Sequence, residues 1–177
     1  MVRQESPDMP GDRSRLWIKE EIIKMFIDDI GTSAVEGIFL DMSKLKFEAN
    51  PKLSLLHWEH YPLDSLPQSF DPKNLVEINL PNSCVKQLWK GEKSLEKLKK
   101  LRLSFSYNLT ELPRISSAPN LEYIDLEGCN SLVSISQSIC RLKKLVFLNL
   151  KDCSNLKHIP STLRLEVLNI AGCSKLH

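Results

Sequence analysis

Two histidines, His57 and His60, stand three residues apart, a spacing that can hold a metal ion. Closing such a site takes at least a third ligand, and none is evident nearby, so they read as surface histidines; His158 and His177 are isolated. The five cysteines, Cys84, Cys129, Cys140, Cys153 and Cys173, come next. Their odd count, with residues 1–15 polar and charged and lacking the apolar core of a secretory signal, favours reduced thiols in the cytosol, with the nucleus also open. Ser104, Ser106 and Ser131 have no motif around them that would mark a nucleophile. Asn108-Leu109-Thr110 has the form of a glycosylation acceptor, which matters only in a secreted protein. No phosphate-cradling G-x-x-x-x-G-K-S/T loop occurs, and Gly11-Asp12-Arg13-Ser14 is not one. The expectation is a chain with no catalytic, metal or cofactor-binding residues, and no enzyme.

What remains is a set of charged and aromatic residues at regular intervals: Lys100, Arg102 and Phe105; then Glu122, Tyr123 and Asp125; then Phe147 and Asn149. The intervals come from a frame, L-x-x-L-x-L-x-x-C-x-x-L. It is clearest at Leu121–Leu132 and Leu145–Leu156, recurs at Leu98–Leu109 with Ser106 in the Cys place and at Leu165–Leu176, and is weaker from Leu53 and Leu75. The starts are 22, 23, 23, 24 and 20 residues apart, the signature of leucine-rich repeats. Within a copy the central L-x-L alternates, so position 4 and position 6 point inward and positions 3 and 5 outward. One such strand cannot bury its apolar face alone; stacking copies side by side in parallel does so. Ile135 and Ile139, like Leu112 and Ile115 one copy earlier, should supply the outer wall.

The expected fold is therefore an α/β leucine-rich-repeat solenoid with a parallel concave sheet. Cys129, Cys153 and Cys173 share position 9 and should form a column. Strands ~4.7–4.9 Å apart would bring Cys129 and Cys153 near disulfide distance, but a column of small buried packing residues is the plainer reading. Position 3 reads Leu55, Glu77, Lys100, Tyr123, Phe147, Val167, which places Tyr123 beside Phe147 on the concave face, with Phe105 at the rim. Lys99 and Glu122, and Arg102 and Asp125, could simply pair across strands.

Residues 1–44 read as a linker or cap: a loop, an amphipathic helix over about 18–29 (Ile18, Ile22, Ile23, Phe26 and Ile27 on one face) and a short strand over about 35–41 that starts the sheet. Residues 44–52 form a charged connector, and residues 53–177 hold about six copies, the last stopping inside the repeat. That last copy has an apolar inner face and no polar cap after it, so self-association through its open edge is expected. A net charge of +2 gives no case for nucleic acid or membrane binding, and no apolar run reaches the ~18–20 residues of a membrane helix.

Arg3-Gln4-Glu5-Ser6-Pro7, Pro10-Gly11, Arg13-Ser14-Arg15-Leu16-Trp17, Gly31-Thr32 and Ala34-Val35-Glu36-Gly37-Ile38 resemble one segment of plant intracellular nucleotide-binding leucine-rich-repeat disease-resistance proteins of the Toll/interleukin-receptor class. In that family the segment links the nucleotide-binding module to the repeats. Leu55-Leu56-His57-Trp58, Tyr61-Pro62-Leu63 and Ser65-Leu66-Pro67 look like its early repeats. The connector at 44–52 is shorter than the family's usual path, as if one or two repeats were deleted. The family's phosphate loop, Met-His-Asp switch and N-terminal domain have no counterpart in these residues, so its nucleotide switching and nucleotidase activity do not carry over. The resemblance implies a protein-interaction, sensor or autoinhibitory segment in defence signalling. Its partner would be a pathogen effector, a guarded host protein or the parent receptor's nucleotide-binding module, with no nucleic acid and no membrane. Two other readings stand beside it: an ADP-binding, NAD-cleaving receptor by descent, and a truncated gene product without function. Titration calorimetry with millimolar ADP and ATP is expected to give no saturable heat; a micromolar dissociation constant would contradict this.

Overall fold

A three-residue strand buries one side chain and leaves two outside, so a sheet of such strands holds only if every neighbour keeps the same register. The computed structural model describes residues 53–68 and 70–177, with the backbone of two short strands earlier in the chain. Eight strands form one sheet in chain order: β1 (Arg15–Leu16), β2 (Gly37–Leu40), β3 (Leu55–Trp58), β4 (Glu77–Asn79), β5 (Lys100–Arg102), β6 (Tyr123–Asp125), β7 (Phe147–Asn149) and β8 (Val167–Asn169). All neighbours pair in parallel. β2 falls inside the 35–41 segment but does not start the sheet, because Arg15–Leu16 pairs with Gly37–Ile38 ahead of it. The helix expected over 18–29 lies outside the described residues.

The register aligns Leu56, Ile78, Leu101, Ile124, Leu148 and Leu168 in one row. All but Leu168 are fully buried. In β8, Val167 and Leu168 are 47% and 40% exposed, and among the described residues β8 pairs only with β7. Ile115, Ile135 and Ile139 are buried in the outer wall and Leu112 packs against it half-buried. Short 3-10 turns at Ile115–Ser117 and Gln137–Arg141 carry part of that wall. The second is opened by Ser136, whose Oγ accepts the Ser138 N–H at 3.2 Å. The chain has no such turn among residues 150–164, the shortened step.

Two devices continue the pairing past each strand. The residue at position 8 is left-handed in all six copies: His60, Asn82, Phe105, Gly128, Asp152 and Gly172 have φ between 55° and 78°. That turn keeps its N–H aimed at the next copy: Phe105 N–H donates to Glu127 O at 2.6 Å, Gly128 to Lys151 O at 2.8 Å and Asp152 to Ala171 O at 2.7 Å. The second device is the column at position 9. Cys129 Sγ donates to Leu103 O at 3.2 Å, Cys153 to Leu126 O at 3.1 Å and Cys173 to Leu150 O at 3.0 Å, and Ser106 Oγ does the same to Leu80 O at 3.2 Å. Ser83 extends the column, its hydroxyl 2.7 Å from that of Ser106. The column is therefore a hydrogen-bond ladder, which the reading as small packing residues overlooked. All five cysteines are free thiols.

Burial raises the Cys129 and Cys153 thiols, Cys153 to about 12 from an ordinary 9.0. The fold thus favours the neutral thiol. This contribution to stability is complete below pH 9 and is lost as pH climbs toward 12. At pH 8 a thiol-disulfide reagent is expected to modify exposed Cys84 promptly, and Cys129 and Cys153 only at the rate of unfolding. Rapid native-state labelling of Cys153 would show that the ladder does not form.

Candidate protein-binding face

The strands present two outward rows. Position 3 aligns Leu55, Glu77, Lys100, Tyr123, Phe147 and Val167; position 5 aligns His57, Asn79, Arg102, Asp125, Asn149 and Asn169. Neighbouring positions in a row sit one strand spacing apart, about 4.8 Å, so aromatic rings in one row meet face to face. Tyr123 and Phe147 do so, with centroids 4.2 Å apart and planes 4° from parallel. The Arg102 guanidinium lies 5.0 Å from the Tyr123 centroid. Its Nε is 3.8 Å from Glu77 Oε1 and has no hydrogen bond among the described residues. The stack contributes roughly 0.5–1.5 kcal/mol and the cation over the ring roughly 0.5–1. The half-exposed ion pair adds at most about 1, so the rings, more than the charges, hold this group in place.

Arg102 was open to a plain cross-strand pairing with Asp125. Instead it turns back to Glu77, because the Asp125 carboxylate is already engaged: its Oδ1 accepts the Glu127 N–H at 3.2 Å and the Asn149 amide at 2.9 Å. The same turn recurs at Asn149, which accepts the Lys151 N–H at 3.1 Å, and at Asn169, which accepts that of Ala171 at 3.2 Å. Asx residues at position 5 thus end their strands. Asn149 also donates to Glu127 Oε2 at 3.2 Å and is only 7% exposed, so it organises the face from beneath. Lys151 Nζ lies 2.7 Å from Glu127 Oε1; that contact is the main reason the Glu127 carboxyl is held below its usual range. Lys99 and Glu122 do pair, loosely, at 4.0 Å.

Available to a partner are Lys100, exposed and without an ion pair among the described residues, and the edges of Tyr123 and Phe147. Burial and Asp125 raise the Tyr123 pKa against the pull of Arg102, so its hydroxyl stays protonated and can donate. Val146 and Val167 add exposed apolar surface beside Phe147. Glu77 and Val167 stand in the position 3 row read from the sequence but were not among the expected binding residues; the His57–Asn79 contact at 2.7 Å was not expected, although extending the position 5 row into the weaker copies would have found it.

Phe105 sits in the turn at φ 59°, an uncommon conformation for a residue with a β-carbon. Its ring leans over Gly128 and lies 6.4 Å from Tyr107, so it belongs to a second aromatic pair in the turns after the strands. A β-carbon on Gly128 would stand 2.7 Å from Phe105 Cδ1, whereas one on Gly91 would meet nothing within 4 Å. Among the described residues no group of three or more His, Cys, Asp or Glu could hold a metal ion, and no helix is long and apolar enough to cross a membrane.

Both glycines have positive φ, so Gly91→Ala and Gly128→Ala should each lose about 1–2 kcal/mol from the left-handed backbone. Gly128→Ala should lose roughly 1 kcal/mol more by displacing the ring. In a Phe105→Ala background that excess should vanish, as read by urea denaturation of the four variants.

A sequence model described as Leucine Rich Repeat matches residues 74–93, the copy that contains β4. Three disease resistance proteins of Arabidopsis thaliana are similar to the chain. RPP2A is 44% identical over 214 residues, covering 99% of this chain and 16% of its own length. RML1A is 36% identical over 206 residues, 94% and 21%, and RRS1 37% identical over 166 residues, 73% and 13%. The chain thus spans about a fifth or less of these relatives. The match to RPP2A is longer than the 177 residues of the chain, so that relative carries intervening sequence absent here. With the repeat frame, the parallel sheet and these relatives in agreement, the chain belongs to the plant disease-resistance proteins, and what it holds of them is leucine-rich-repeat structure.

Proposed function

We propose that the concave face around Tyr123 and Phe147 is a protein-docking surface, serving as a sensor or autoinhibitory segment in defence signalling. The reading rests on one observation: two parallel rings, the first beside the Arg102 guanidinium, with Lys100, which makes no ion pair among the described residues, next in the same row. Because stacking already orders the rings, a partner gains their contact area with little further loss of side-chain freedom. Aromatic clusters of this kind are where interface energy concentrates, and flanking charges orient the partner. The partner is a pathogen effector, a guarded host protein or the nucleotide-binding module of a parent receptor, met in the cytosol. The surface works by binding alone, without covalent chemistry or a cofactor.

The double substitution Tyr123→Ser, Phe147→Ser tests this. The lost stack should cost the fold no more than about 1.5 kcal/mol, leaving the circular dichroism spectrum intact. Affinity for the nucleotide-binding module of a full-length relative, or for an effector it recognises, should fall by about 2 kcal/mol or more. A variant that melts much earlier while its folded fraction binds normally would assign the rings to structure alone.

A further inference from the structure

The spacing of the copies leaves a second feature on the opposite side of the coil. The copy from Leu121 takes 24 residues to reach the next start and spends five of them on the 3-10 turn Gln137–Arg141. The copy from Leu145 takes 20 and has no such turn. Its outer segment therefore falls short of its neighbour's, and a half-open notch of about 580 Å³ lies between them. Ile139, Leu142, Leu145, Leu163 and Leu165 supply the apolar half of its lining, and polar groups the other half. Thr162 Oγ1 and Cys140 Sγ, 3.2 Å apart, satisfy each other at one side. The charged groups lining it are Lys143 and Arg164, both exposed, and among the described residues neither makes an ion pair; no carboxylate lines the notch. Lys144, next to Lys143, is directed away to Asn120 at 2.6 Å.

We propose that this notch is a second docking site, for a segment of a partner protein that places an acidic side chain beside a large apolar one. The apolar side chain would fill the space the missing turn leaves, and the carboxylate would meet Lys143 or Arg164 in a charge-assisted contact. The volume lies within the ~300–1,000 Å³ of ligand sites. A half-open notch, however, covers too little of a small free ligand, whereas it suits side chains carried in on a partner's surface. The site shares no residue with the concave face, so both can be occupied together.

The test is a phage-displayed library of random ten-residue peptides selected on the immobilised 177-residue chain. Enrichment of peptides with Asp or Glu adjacent to Leu, Ile, Phe or Trp is expected. Their affinity should drop about tenfold or more in the double variant Lys143→Glu, Arg164→Glu, and recover when the peptide acid is replaced by Lys. Phe147→Ser should leave this binding unchanged, which separates it from docking on the concave face. In a Cys84→Ser background, bound peptide should slow maleimide labelling of Cys140. The proposal is overturned if no peptide is enriched, if the enriched peptides show no acidic preference, if charge reversal leaves affinity unchanged, or if Cys140 labelling is unaffected.

Discussion

The structure depends on the alignment of backbone N–H and C=O groups from one copy to the next. Three-residue strands make few ladder bonds each, so the ladder must run on through the turns. The left-handed residue at position 8 does this by holding its N–H in line with the carbonyl of the following copy. The thiols and hydroxyls at position 9 tie the inner side of the same turn to the copy before. An insertion of one residue would break both ties at once and turn the aliphatic row toward solvent. A change by a whole copy would keep that register.

Once register is fixed, the concave face sorts its residues into two kinds. Asp125, Asn149, Glu127 and Lys151 satisfy one another and the turn beneath them. They make a stiff polar floor. Tyr123, Phe147 and Lys100 stand above it with their outer edges uncommitted. The rings stand on neighbouring strands held in register, which keeps their planes 4° apart.

Much of this was legible in the sequence. The L-x-L alternation located the strands, and identical frame positions predicted that Tyr123 and Phe147 would meet. What the structure decided against was one of two readings of Arg102, a pairing across the strands with Asp125. Charge alone favoured Asp125, but a carboxylate at the end of a strand is claimed first by the local N–H two residues on, which is closer and needs no long side chain to be ordered. The left-handed position was hidden because His60, Asn82, Phe105 and Asp152 occupy it as well as glycine. The donor role of the cysteines was hidden because a buried thiol and a small apolar group look alike in composition. The shortened step before Leu165 was visible, but not that the space it opens would keep two cations at its edge.

The thiol ladder also points one way along the chain. Cys129 reaches back to Leu103, Cys153 to Leu126 and Cys173 to Leu150, each bringing its proton to a carbonyl made earlier. On a ribosome adding about 5–20 residues per second, a copy emerges every few seconds. Short-range pairing takes microseconds. The thiol of each new copy therefore meets an acceptor that is already made, while the position 8 ties run the other way, an earlier N–H awaiting a carbonyl of the next copy. Each copy is thus joined to the one before it by bonds of both polarities, its thiol giving a proton back and its carbonyl receiving one forward.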